Sequence, residues 1–172
     1  MTKSELKTTE FNEYYNRYID KLTDETELIS GFITGKNKVI SFFESIPDEK
    51  LEYRYQPKKW TIKEAFQHLI DTERIFMYRC FRIARNDKTA IEGFEQDDYV
   101  IPSEANLKSR EDLLEEFRIN RENSIMILKS LSKKNLCFNG LSNGDVMSAR
   151  SAAFTILGHD IWHMEVIQNK YL

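Results

Sequence analysis

Apolar residues recur along the chain at helical rather than strand spacing. Asp24 and Glu27 form a D-x-x-E pattern that predicts a helix start. Leu28, Ile29, Phe32, Ile33, Val39, Ile40 and Phe43 then repeat with a period near 3.6, and Pro47 closes the segment. A second helix is predicted from the stretch WTIKEA, with Thr61 as N-cap and Glu64 at the third helical position. Trp60 precedes the cap and is placed to staple against Ala65. Ile62, Phe66, Leu69, Phe76, Met77, Cys80, Ile83 and Ala84 carry this helix to about Asn86. Ser109 and Asp112 cap a third helix, marked by Leu113, Leu114, Phe117, Ile125, Leu128 and Leu131. A fourth runs from about Ser148 to the C-terminus, with Ala149, Ala152, Ala153, Ile156, Leu157, Met164, Ile167 and Tyr171 inward.

Between these lie less regular segments. Residues 11–22 are aromatic-rich and read as a short helix or an arm on the bundle. Residues 87–108 are rich in Asp and Glu and read as a connection, and KKNLCFNGLSNGDV reads as a loop. Four long amphipathic segments predict an all-α four-helix bundle in a single domain over residues 1–172. The 87–108 connection could span about 70 Å extended, whereas a helix of 26 residues is about 39 Å long. It is therefore long enough to cross the whole bundle and leave the second and third helices parallel, though length does not require this.

Composition narrows the function classes. Hydrophobic residues at 41% and charged residues at 31% suit a soluble globular chain. A net charge of -3 argues against non-specific binding to nucleic acid or anionic membranes. No apolar run approaches a membrane span and no secretory leader is apparent, so the expected compartment is the cytoplasm. Cys80 and Cys137 form neither a CxxC motif nor a disulfide framework.

The chemistry lies in the histidines. The chain has three, and two of them, His159 and His163, stand in GHDIWHMEVI. At i, i+4 they lie about 40° apart on a helix and can bind one ion, although such a pair is also found among ordinary surface or core histidines. His68, in EAFQHLIDTE, lies about 120° from the centre of its helix's apolar stripe, which points to a flank or open cleft rather than a central ligand. HDIWH resembles a zincin motif, but Asp160 is a methylene short of the usual general base and the downstream ligand is missing. A carboxylate-rich di-iron site lacks its second Glu-x-x-His pair.

The stretches LEYRYQPKKWTIKEAFQHLIDTERIFMYRCFRIARND, GFEQDDYV and SARSAAFTILGHDIWHMEVIQNKYL together resemble the DinB-like superfamily of metal-binding four-helix bundles, which includes the YfiT-like proteins. The resemblance implies a long crossover between parallel helices 2 and 3. It also implies a divalent metal, Zn or Ni, on His68, His159 and His163. Many relatives have His-His where this chain has Trp162-His163. Relatives of known activity include bacillithiol transferases and mycothiol-dependent maleylpyruvate isomerase; many others are called stress- or damage-inducible.

Three imidazole ligands leave a coordination position open, and an open site can lower the pKa of a thiol or a water. The expected function is a thiol-dependent transferase, with a low-molecular-weight thiol of the bacillithiol type as cosubstrate and a small electrophile as its partner. The alternatives are a non-catalytic metal-binding stress-response protein and a hydrolase using metal-bound hydroxide. A homodimer is compatible with this reading; nucleic acid and membrane partners are not expected. Asp71 and Asp160 read as histidine-orienting groups or as surface charges. Glu73 falls within the apolar stripe and needs a partner, with Arg79 and Arg82 as candidates. Trp60, Trp162 and the tyrosines read as packing rather than a substrate cage.

Overall fold

Each long helix starts where a side chain takes up the free N–H groups of its first turn. In the computed structural model, which describes residues 1–172, Thr61 and Ser148 cap the helices that carry the histidines. In chain order the helices are α1 (Asn16–Ile19), α2 (Leu28–Glu44), α3 (Ile62–Ala84), α4 (Asp97–Val100), α5 (Arg110–Lys129), α6 (Lys133–Leu136) and α7 (Ala149–Lys170). The predicted caps hold for α3, α5 and α7. For α2 the cap is Glu27, whose carboxylate accepts from the Ser30 N–H, while Asp24 instead pairs with Lys3. None of the helices is long and apolar enough to cross a membrane.

The crossover is as expected. Gln67 bonds Glu116, the Ile70 carbonyl accepts from Asn120 and Glu73 pairs with Arg121, so residue numbers rise together and α3 and α5 are parallel. Lys36 meets Glu122 while Arg110 donates to the Glu44 carbonyl, so α2 runs antiparallel to α5. The 87–108 connection carries the short helix α4 and a 3-10 turn at Ala105–Leu107.

The segment before α7 is not a plain loop. It contains α6 and a hairpin of β1 (Asn139–Ser142) and β2 (Asp145–Ser148), paired antiparallel with Ser142 opposite Asp145. Asn143 and Gly144 have φ of 54° and 83°, the left-handed pair that a two-residue hairpin turn requires. Asn-Gly between two short strands was the signal for it. Ile91 of the crossover exchanges backbone hydrogen bonds with Leu141 and Asn143, tying the crossover to the hairpin.

The apolar interior falls into two parts. One gathers Phe32, Met77, Cys80, Ile83, Leu128 and the Ala149–Leu157 half of α7. The other gathers Val39, Phe43, Phe66, Leu113, Phe117 and Ile167, with the Phe43 and Phe66 rings stacked at 3.7 Å. Glu73, Arg121 and Asp160 form a buried polar layer about midway along their helices, and the three buried histidines lie beside it.

Candidate metal centre

His68, in the second turn of α3, meets His159 and His163 in the second half of the antiparallel α7. Its Nε2 lies 3.1 Å from His159 Nε2, which is 3.0 Å from His163 Nε2. One nitrogen from each ring falls within 4.8 Å of the others. The structure thus brings all three sequence candidates together. His68 is only 7% exposed, not a flank residue. The reason is that α3 is central: it is buried against α7 as well as along the face its apolar residues define.

Burial sets the state of these rings. It pushes His68 down to about 4, and His159 and His163 well below the usual imidazole value, with neighbouring histidines adding to the effect for the latter two. All three are therefore neutral at physiological pH, with lone pairs free to ligate. Adjacent donors about 2.1 Å from one ion lie about 3.0–3.4 Å apart, so the two spacings through His159, 3.1 and 3.0 Å, suit a shared ion. Crowded neutral nitrogens can also share only a limited number of N–H protons. The donor set fits a divalent metal.

Aromatic rings surround the cluster. Trp60 lies 4.7 Å from the His68 ring, Trp162 lies 4.7 Å from His163, and Tyr18 meets His159 edge-on at 5.0 Å. Trp60 also donates to Asp97 in the crossover. The Tyr18 segment can come this close because α7 has glycine at position 158. A Cβ there would lie 2.0 Å from the Tyr18 carbonyl oxygen.

The carboxylates do something other than orient histidines. Asp160 points away from the rings and accepts from Arg121 at 2.7 Å, and Glu73 accepts from the same guanidinium at 2.8 Å. Asp160 is therefore neither a surface charge nor a histidine partner, and Glu73 uses neither Arg79 nor Arg82. Arg121 is fully buried, its charge sandwiched near the Phe32 and Phe117 rings. Burial opposes its charge, but the two carboxylates outweigh this and hold its pKa above the usual value. The sequence signal was an arginine one turn after Phe117 and one before Ile125, inside the third apolar stripe. Asp71 stays near the surface with Gln67 and Arg74. Arg82 pairs with Asp87. Neither cysteine is at the centre: Cys80 is buried, its thiol pushed up to about 12 by desolvation, and Cys137 is exposed.

A cavity of about 420 Å³ opens beside the cluster. His68, Thr72, Phe76 and Arg79 of α3 line it at one-turn intervals, with Thr155 and His159 facing them from α7. Tyr14, Tyr15 and Tyr18 of the N-terminal segment close one side. These tyrosines are thus cavity walls and not only packing.

A family profile described as the DinB superfamily matches residues 33–167, and the chain belongs to that superfamily. Among solved structures the fold matches YfiT from Bacillus subtilis, described as a probable metal-dependent hydrolase with an unusual four-helix bundle topology. The TM-score is 0.71 at 13% identity, covering 95% of this chain and 89% of that one. No curated protein sequence matches the chain.

Proposed function

We propose that this protein is a metal-dependent enzyme in which His68, His159 and His163 hold one divalent ion, zinc or nickel, and which joins a low-molecular-weight thiol to a small electrophile. The observation that carries the reading is the convergence of three buried, neutral imidazoles, two of which, His68 and His159, line a cavity. Neutral imidazole suits either ion. A divalent ion there supplies Lewis acidity, lowering the pKa of a thiol or water at its open side.

The chain's own residues favour the thiol over water. No carboxylate hydrogen-bonds to a histidine of the cluster; the one further polar contact is Thr72 Oγ1, 3.4 Å from His68. Water, with a pKa of about 15.7, needs far more help to ionise than a thiol near 8.5. The cavity volume is also in the range of sites that enclose small organic molecules. The second reading is hydrolysis, favoured by the fold shared with YfiT, described as a probable metal-dependent hydrolase.

The test begins with metal content by mass spectrometry, on untagged protein with and without zinc or nickel loading. One ion per chain is expected, with loss of at least tenfold in affinity in His68→Ala, His159→Ala and His163→Ala. Loaded and chelated protein are then compared for consumption of bacillithiol, glutathione or coenzyme A against a halogenated aromatic and an epoxide, and for ester hydrolysis. Thiol consumption confined to the loaded protein is the expected result. Wild-type metal affinity in all three alanine variants would sink the ligand assignment, and hydrolysis alone would replace the transferase reading.

A further inference from the structure

Two buried side chains of the cavity wall each carry a polar atom that has no hydrogen-bond partner inside the protein. Arg79 is 2% exposed, and its Nε makes no hydrogen bond. Ser142 is 3% exposed, and its Oγ likewise makes none. Both residues line the cavity that His68 and His159 line. They reach it from different elements, Arg79 from the last turns of α3 and Ser142 from the end of β1.

Arg79 is the informative one. Each of the other buried arginines has a carboxylate: Arg121 holds Glu73 and Asp160, and Arg150 holds Glu10. Arg79 forms no ion pair. The acidic residues on the cavity wall are engaged elsewhere, Asp145 by the Asn12 amide and Glu95 by the backbone N–H of Asp97. What surrounds the Arg79 guanidinium is neutral: the Phe76 and Phe94 rings, 4.7 and 5.8 Å from its centre, and the Tyr15 hydroxyl. Such contacts position a cation and supply no counter-charge, and Nε keeps no partner. Burial without a counter-charge lowers its pKa, whereas the paired arginines shift upward. A buried guanidinium normally brings a partner, because an isolated buried charge is costly. Here the open side of the guanidinium is the cavity.

We propose that Arg79 and Ser142 form an oxyanion subsite, so that the small molecule taken by this cavity carries a carboxylate or phosphate at the end remote from the histidines. The guanidinium offers planar N–H pairs suited to either group, and the Ser142 hydroxyl adds a donor. Eleven residues separate His68 from Arg79 on α3, which is about 16 Å along the axis. Even after the side chains reach inward, an elongated organic acid rather than a small inorganic ion fits both ends. The tyrosines of the N-terminal segment and Phe76 supply apolar wall between them. This inference rests on the reading of the histidine cluster as the reactive end, but the subsite itself needs no metal.

The experiment therefore starts with chelated wild-type protein, where no ion can attract an acid. Benzoate, phenyl phosphate and the uncharged benzamide are titrated separately, followed by amide chemical shifts in the two-dimensional nitrogen–proton spectrum and by calorimetry. At least one of the two acids is expected to bind at least tenfold more tightly than benzamide. The shifts should centre on Gly93, Phe94, Ser142 and Asn143. The better acid identifies whether carboxylate or phosphate is preferred. Arg79→Met should abolish the preference for the acid, and Ser142→Ala should weaken it several-fold, while Arg79→Lys retains part of it. Equal binding of acid and amide by wild type, no binding of any probe, or shifts away from these residues would overturn the subsite. The wild-type measurement decides this even if Arg79→Met does not fold. Failure here with one metal per chain on the three histidines leaves the metal reading standing, and the reverse result leaves the subsite standing.

Discussion

Arg121 shows how a single side chain is tied into the middle of this bundle. Its guanidinium is the counter-charge for two buried carboxylates from two other helices. Arg121→Met leaves Glu73 and Asp160 facing each other without it, and should cost about 3–5 kcal/mol in urea denaturation. Replacing all three by apolar residues of similar size should recover most of that loss, since the desolvation cost disappears along with the pairing. The histidines act through protons. In metal-free protein, burial holds His68 near 4 against about 6.5 in the unfolded chain, and shifts His159 and His163 in the same direction. Between those values the unfolded chain binds protons that the folded chain refuses. Stability is then complete above pH 6.5 and lost as pH falls toward 4. Asp160 runs the other way: desolvation raises it to about 6, against the pull of Arg121, so the folded chain takes up that proton first and gains stability as pH drops through this value. Three imidazoles outweigh one carboxyl. Urea midpoints of chelated protein should report a loss on the order of 2 kcal/mol per pH unit at the steepest point.

Among the elements, α7 has the most demanding surroundings. It meets α3 across the histidines, α5 through Asp160, α2 at Leu157, and the N-terminal segment at Gly158. Gly158→Ala gains about 1 kcal/mol of helix propensity. Against that, the new methyl would sit 2.0 Å from the Tyr18 carbonyl, and a backbone oxygen fixed by the buried Tyr18 and Ile19 cannot yield cheaply. Overpacking of this kind costs about 1–3 kcal/mol, and against a fixed backbone atom the upper end applies, so a net loss of about 2 kcal/mol is expected. Limited proteolysis should show new cleavage within residues 11–22, because the segment that carries Tyr18 is displaced from α7. An unchanged cleavage pattern with higher stability would mean that the backbone approach at Gly158 is looser than described.

For the whole molecule, the two apolar clusters supply most of the burial. Chelated protein should therefore keep its helical circular dichroism at room temperature. Loading with metal at about 100 times its Kd adds about 2.7 kcal/mol, which for a chain of this size raises Tm by about 5–11 °C. The His68→Ala protein should lose that increment while retaining its helices. Unfolding on chelation would instead make the metal a structural one.

Much of this organisation is written in local pattern. Helix periodicity and the caps at Thr61, Ser109 and Ser148 depend on residues within a turn of one another, and the segments read from them are the helices found. The spacing of His159 and His163 likewise places two donors on one face whatever surrounds them. The hairpin at Asn143-Gly144 was readable by the same local rules but was hidden by its very short strands. Other features had no local signature. The burial of His68 depends on α3 being covered by α7 as well as along its apolar stripe, which one helix's wheel does not contain. The choice of Arg121 over Arg79 and Arg82 as partner for Glu73 was made by the parallel register of α3 and α5, set by a crossover whose length allowed that register without requiring it. Leaving Arg79 unpaired beside a cavity is a consequence of the same packing. Charges far apart in sequence find their partners only when the helices are in place, because pairing energy depends on distance and burial, and neither exists in the unfolded chain.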